Sequence, residues 1–237
     1  MKGKKYSIIL SCCLCFACYT NVYGQADPAT YLKSIQSALR QKWPDNRTIN
    51  LVFHGHSVPT GYGRTPNVHR LQAYPFQVLK RLDVQYPYSV INVITTSIGG
   101  ENSVQGAKRF KKDVLPLRPD VLFIDYALND RSIGLDKARK ADEKMIRIAL
   151  RHHIKVLLVT PSPDLGVDLR KPDNILAQFS DMLIALAKKY RIGLVDSYAA
   201  FEQLALDGKD LHKYMAQVNH PNAKGHAVIA QAIMKWF

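Results

Sequence analysis

LVFHGHSVPTGY, residues 51–62, is the stretch on which the reading of this chain turns. An apolar run over 49–53 has the length of a buried β-strand. It breaks off in Gly55-His56-Ser57, with Pro59 and Gly61 close behind. A turn of that kind lifts Ser57 out of the sheet. Open α/β folds place their ligands at the C-terminal edge of parallel strands, and a hydroxyl there, beside free backbone N–H groups, can act as a nucleophile. A serine that only caps a helix after the strand fits the same residues. The choice between the two rests on the rest of the chain.

Upstream, Tyr31, Ile35, Leu39 and Trp43 recur at helical spacing and predict an amphipathic helix over 27–43, closed by Pro44-Asp45-Asn46. Downstream, Leu71, Tyr74, Val78 and Leu82 form a helical stripe within 68–86, which Pro75 must bend or divide. A second apolar run, 90–94, ends in a loop holding Gly99 and Gly100, and 106–115 reads as a helix. A third strand, 121–125, ends at Ala127-Leu128-Asn129-Asp130-Arg131.

The alternation continues. A helix marked by Leu135, Ala138, Met145, Ile148 and Ala149 leads into a fourth strand, 154–159, closed by Pro161 and Pro163. Asp173 is placed to cap a helix carrying Ile175, Leu176, Phe179, Met182, Leu183 and Leu186, a short fifth strand covers 192–195, and a last helix carries Val228, Ile229, Ala232, Ile233 and Trp236. Strands alternating with helices imply a parallel sheet covered on both faces, a three-layer α/β/α fold with five strands. No internal repeat, low-complexity tract or linker interrupts it, so 25–237 is expected to be one domain. Its polar loops after strands one, two, three and five are expected to converge on one edge.

The composition, 47% apolar and 22% charged over 237 residues, is that of an ordinary globular chain and excludes disorder. Lys2, Lys4 and Lys5 precede an apolar stretch over 6–18 and then Val22-Tyr23-Gly24, the pattern of an export signal over residues 1–24, cleaved before Gln25. The stretch is too short to span a bilayer comfortably, so no stable membrane insertion is expected and the product is secreted or periplasmic. Cys12, Cys13, Cys15 and Cys18 all fall inside this segment, leaving the mature chain without thiol or disulfide. The residues before Cys13 and Cys18 lack the aliphatic-then-small pattern of a lipidation site, which favours a soluble product over a lipoprotein.

Removing the three lysines leaves 30 basic against 19 acidic residues, a net charge of +11. The basic residues are scattered over predicted helices without interleaved aromatics, so nucleic acid is not an expected partner and a solvated basic surface is. Attraction to anionic polymers or membranes follows from the same charge.

Ser57, Gly100, Asn129 and His220, the last within Asn219-His220-Pro221-Asn222, lie in four strand-end or late loops in that order. Here the sequence resembles the SGNH hydrolases, also called the GDSL esterase family, along essentially the whole mature chain. Each block is short; the four together, in order, carry the resemblance. It implies a flavodoxin-like sheet, Ser57 as nucleophile and His220 as its base. It also implies an oxyanion hole made by the Ser57 and Gly100 N–H groups and the Asn129 side chain, with no cofactor or metal. The expected activity is hydrolysis of a small acyl ester, acetylated carbohydrate first, with lipid or thioester substrates open. A non-catalytic glycan-binding protein on the same fold is the alternative from another class.

Two positions depart from the family pattern. His56 stands where the family has aspartate, and Gln217 stands three residues before His220, where the family has its acid. Gln217 can hydrogen-bond His220 but carries no charge to offset an imidazolium. Catalysis then rests on a Ser-His dyad or on a carboxylate from another loop. Asp130 and Arg131 either pair to order the asparagine loop or form a solvated surface pair. His54 and His56 form a His-x-His that would suit zinc in a regular strand, but a turn begins at Gly55 and no further ligands stand at supporting spacing, so no metal is assigned. An α/β-hydrolase elbow would want glycine two residues after the serine, where Pro59 stands.

Overall fold

The computed structural model describes Gly24 and residues 26–237. The segment read as an export signal, with its four cysteines, lies outside the described residues apart from Gly24. Five parallel strands form the central sheet: β1 Thr48–Gly55, β2 Val90–Thr95, β3 Val121–Asp125, β4 Lys155–Val159 and β5 Gly193–Val195. Their order is β2-β1-β3-β4-β5, the flavodoxin-like arrangement, in which the chain runs out to one side of β1 and returns on the other. The switch point lies between β1 and β3. Ser57 leaves β1 there, and Asn129 follows β3.

In chain order the helices are α1 Pro28–Tyr31, α2 Lys33–Leu39, α3 Ser57–Thr60, α4 Tyr74–Gln85 and α5 Ser103–Asp113. They continue with α6 Ala127–Asp130, α7 Leu135–Arg151, α8 Ile175–Tyr190, α9 Ser197–Leu206 and α10 Ala223–Met234. Because successive strand side chains point to opposite faces, the sheet feeds two cores. Leu51 and Phe53, Val121 and Phe123, and Leu157 and Val159 pack with α2, α4 and α10. Val52, Leu122, Ile124, Val156 and Leu158 pack with α5, α7 and α8. Phe53 and Phe123, partners in the β1–β3 register, stack with centroids 4.2 Å apart. Burial of each such ring stabilises the fold by roughly 1.5–3 kcal/mol, and here it locks together the two strands that carry the site.

Several helices differ from their predicted form: α5 runs over Ser103–Asp113 rather than 106–115, and α9 fills a stretch where no helix was expected. The segment over 27–43 splits at Leu32 into α1 and α2 and ends at Leu39, leaving Trp43 84% exposed. The buried positions are Leu32, Ile35 and Leu39, so the true stripe starts one residue later and stops one turn sooner. Pro75 divides the 68–86 segment rather than bending it. Arg70–Gln72 is a separate 3-10 turn, and α4 starts with Pro75 in its first turn, where a missing N–H costs nothing. Leu71, on the severed turn, is 81% exposed. The cap of α8 is Asn174, not Asp173: its side chain accepts from Leu176 N and Ala177 N. No helix among the described residues is long and apolar enough to cross a membrane.

Candidate active site

Ser57 opens α3 at the end of β1, buried to all but 7% of its surface. Gly55, two residues before it, has no room for a side chain: a Cβ would run into the Asp125 carbonyl of β3. That close approach lets the chain turn sharply over the sheet edge. His56 is the N-cap of α3, its Nδ1 accepting from Val58 N at 3.3 Å. Ser57 is therefore not the cap, and its hydroxyl is left for other partners.

His220 reaches Ser57 across 163 residues of sequence. It sits on β7, His220–Pro221, the second arm of a small hairpin whose first arm is β6, Met215–Gln217. The hairpin is pinned from both ends. Leu165 N donates to the Val218 carbonyl in its turn at 2.8 Å, and Asn222 caps α10 while donating from Nδ2 to the Lys213 and Met215 carbonyls. The result is a His220 Nε2 to Ser57 Oγ distance of 3.0 Å.

The other ring nitrogen, Nδ1, has two neighbours of opposite kind. The Gly63 carbonyl lies at 2.9 Å and can only accept; Gln217 Nε2 lies at 2.8 Å and can only donate. The orientation of that amide is fixed, because Gln217 Oε1 takes the Thr65 N–H at 3.0 Å and the Thr65 hydroxyl at 3.3 Å. Gly63 thus serves the tautomer with the proton on Nδ1, which leaves Nε2 free to accept from Ser57. Gln217 serves the opposite, idle tautomer. Burial lowers the His220 pKa below the ordinary 6.5, with nearby His56 acting the same way and the Gly63 carbonyl opposing both. The ring is accordingly neutral, and a base, at neutral pH.

Gly100 and Asn129 come from the flanking strand ends. Gly100 follows β2 with φ +82°, a left-handed conformation that glycine adopts without strain, so its N–H can face a direction closed to other residues. Asn129 lies in α6, and its Nδ2 donates to the Glu101 carbonyl at 2.8 Å. One amide hydrogen therefore fastens the asparagine to the Gly100 loop, and the second is free. The loop is held in turn by the Glu101 carboxylate, which Arg109 grips at 2.6 and 2.8 Å. Among the described residues, no hydrogen-bond partner is found for the N–H of Ser57 or of Gly100.

Acidic residues near the site have other duties. Glu101 is taken by Arg109, and Asp130 accepts from Ser103 N at 2.7 Å at the start of α5. Asp130 and Arg131 do not pair: Arg131 reaches across to Asp164 at 2.7 Å, because its guanidinium extends toward the loop after β4 while Asp130 is fully buried. His54 and His56 part company as well. The ring nitrogens of His54 face Thr96 Oγ1 and the Gly106 carbonyl, and burial pushes its pKa down to about 4.

A model of the GDSL-like lipase/acylhydrolase family matches residues 53–228. The chain belongs to this family. Among solved structures it is similar to a two-domain esterase (CEX) active on acetylated mannans, at 22% identity and TM-score 0.73. That alignment covers 90% of this chain and 53% of the other, so this chain spans about half the length of that esterase. It is also similar to Axe2, an acetylxylan esterase from Geobacillus stearothermophilus, at 21% identity and TM-score 0.69, over 79% of this chain and 93% of that one. The acetyl xylan esterase AlAXEase aligns at 23% identity and TM-score 0.68, over 78% and 98%. No curated protein sequence matches the chain. At these identities the shared feature is the fold, a five-stranded parallel sheet flanked by helices.

Three site features had little or no sequence signal. The Gly63 carbonyl is a backbone atom and leaves no mark on residue choice. Glu101 was visible only as a loop acid, and its role emerges from Arg109 eight residues on. Asp125 read as the last residue of a strand, with nothing to set it apart from a strand terminus.

Proposed function

We propose that the chain is an exported serine esterase that removes a small acyl group, acetyl first, from a carbohydrate ester. The single observation that carries this reading is the 3.0 Å approach of Ser57 Oγ to His220 Nε2, with the Gly63 carbonyl at the opposite nitrogen. In the reaction, Oγ bonds to the ester carbonyl carbon as its proton passes to Nε2. The carbonyl oxygen becomes an oxyanion, received by the Ser57 N–H, the Gly100 N–H and the free hydrogen of Asn129 Nδ2. These neutral donors stabilise charge that exists only in the transition state. When the bond to the alcohol oxygen breaks, Nε2 returns the proton to that oxygen. Water then repeats the sequence on the acyl-serine.

The carbohydrate part of the proposal is supported by what adjoins the site. A depression of about 510 Å³ beside Gln217 is lined largely by apolar groups, among them Leu165, Met215 and Val218, with Arg64, His212 and Gln217 as the polar side chains offered to sugar hydroxyls. Export is motivated by the basic-then-apolar start of the chain. The test is to assay residues 25–237 on a chromogenic acetate ester and on acetylated xylan and mannan oligosaccharides, measuring acetate release. Turnover of acetylated oligosaccharides is the expected result. A glycan-binding protein on the same fold is the second reading, and the observation favouring it is the Gln217 amide, which stabilises the idle tautomer of His220. Oligosaccharide binding without acetate release would select it.

A further inference from the structure

A pocket of about 380 Å³ lies between the segment 61–72 and the hairpin that carries His220. Its polar side chains are Arg64, His69, Gln72, Asn222 and His226, and no carboxylate among the described residues lines it. It joins the depression beside Gln217, since Arg64, Met215 and Ala216 line both. Gly63, whose carbonyl meets His220 Nδ1, is part of its wall, and the His69 ring lies over Gly63 in the space a side chain there would take.

His226, in the first turn of α10, is only 3% exposed. Its Nδ1 accepts from Tyr74 N at 3.3 Å, so the ring proton is on Nε2. Burial, with His220 nearby, pushes its pKa down to about 3, and the ring is neutral wherever its neighbour can act as a base. The Nε2–H has no partner among the described residues. Unlike the Nε2 of His56 it is not sealed from solvent, and the pocket is the space it opens on. A buried donor without an acceptor is destabilising, so an acceptor in the pocket is favoured.

The tautomer decides what that acceptor is. A metal ion would need the lone pair of Nε2, which the proton occupies; an oxyanion needs the proton itself. Arg64 adds a guanidinium without a carboxylate partner among the described residues. The N-terminus of α10, twelve residues long, borders the pocket at Asn222 and Ala223 and turns the positive end of its dipole toward it. Every electrical feature of the lining favours negative charge.

We propose that this pocket binds a carboxylate, that of a uronic acid residue in the substrate, so that the preferred ester is carried by an acidic oligosaccharide. The His226 Nε2–H and the Arg64 guanidinium are its donors. Continuity with the depression beside Gln217 argues for a group on the same glycan, and 30 basic against 19 acidic residues in 25–237 draw a polyanion before a neutral chain. The substrate role rests on the serine-esterase reading; the binding of the carboxylate does not.

The first measurement therefore needs no turnover. Ser57→Ala protein is titrated calorimetrically with a glucuronate-bearing xylo-oligosaccharide, with the same oligosaccharide after reduction of its carboxyl to the alcohol, and with sodium acetate. Expected is binding about tenfold tighter for the acid than for the alcohol, the size of a charge-assisted hydrogen bond, with the difference abolished by Arg64→Gln and by His226→Asn. Asparagine at 226 keeps an acceptor for Tyr74 N and removes the Nε2 donor; if it lowers the melting temperature, Arg64→Gln, on an exposed side chain, decides alone. With Ser57 in place, acetate release from the acetylated pair should show the same preference in KM. Equal binding of acid and alcohol overturns the proposal, as does a preference that survives both substitutions. Acetate binding as tightly as the acidic oligosaccharide also overturns it, and makes the pocket a site for a free anion such as the released product. Preferential binding of the acid by a protein that releases no acetate counts against the proposed function and leaves the carboxylate pocket supported.

Discussion

The two imidazoles beside Ser57 are supported in opposite ways. His220 arrives on a short hairpin late in the chain, and its far nitrogen meets only neutral groups, the Gly63 carbonyl and the Gln217 amide. His56 belongs to the sheet edge itself, is fully buried, and its far nitrogen meets the Asp125 carboxylate. The difference teaches that a buried carboxylate beside the serine turn backs the ring that caps α3, while the ring 3.0 Å from Oγ is held by uncharged partners alone. Asp125 sits in the core at the end of β3, where it accepts from the Tyr74 hydroxyl, whereas the described neighbours of the far nitrogen of His220 carry no charge.

The comparison breaks most completely if Ser57 is not the shared partner of both rings. Ser57→Ala should abolish acetate-ester turnover, a loss on the order of a millionfold, with the fold intact, since one buried hydroxyl contributes little to the core. Measurable kcat at the parent's level in a folded Ser57→Ala protein would remove the ground for treating His220 as catalytic. Next in size is Asn129→Ala. Losing one oxyanion donor should lower kcat by about a hundredfold to a thousandfold. Asn129 also fastens the Gly100 loop through the Glu101 carbonyl, so the comparison sharpens if Glu101→Gln, which leaves that carbonyl in place, has a far smaller effect. An effect confined to KM would reassign Asn129 to substrate binding.

What the sequence disclosed divides along the same line. The buried strands are runs of apolar residues with few alternatives, so β1 to β5 were legible within a residue or two, and the order of Ser57, Gly100, Asn129 and His220 along them was legible too. The helix ends were less so. Tyr31 and Trp43 fall on the helical period of Ile35 and Leu39, yet the burial starts at Leu32, because tertiary packing overrode the pattern. The β6–β7 hairpin left no trace, since strands of three and two residues are too short to alternate visibly. The missing acid at 217 was plain in the sequence. The Gly63 carbonyl that stands at Nδ1 instead was not, because it is a backbone atom.

The smallest expected effect is a gain, and it tests whether His220 does without charge at its far nitrogen. Gln217→Glu changes one atom type. Oε1 keeps the Thr65 N–H, and the second oxygen takes the place of Nε2, 2.8 Å from Nδ1. Aspartate at 217 would fall short of both partners by one methylene. The new carboxylate accepts from Nδ1–H beside the Gly63 carbonyl, so the working tautomer loses its competitor and the imidazolium gains a counter-charge. An increase in kcat of up to about tenfold, near 1.4 kcal/mol, is expected. The sign of the pH effect is fixed by the same change. In the parent, burial depresses the His220 pKa below 6.5, so the base stays neutral and active into mildly acidic solution, and activity is lost as pH falls through that depressed value. A negative charge beside the ring favours its protonated form and raises that pKa. The acidic limb of kcat/KM should therefore move to higher pH in Gln217→Glu while the plateau rises. If the limb moves but the plateau does not, a charge at Nδ1 shifts the protonation of His220 without speeding the proton transfer, and the uncharged partners already suffice. If neither moves, the Gln217 side chain does not govern His220, and Gly63 alone sets its tautomer.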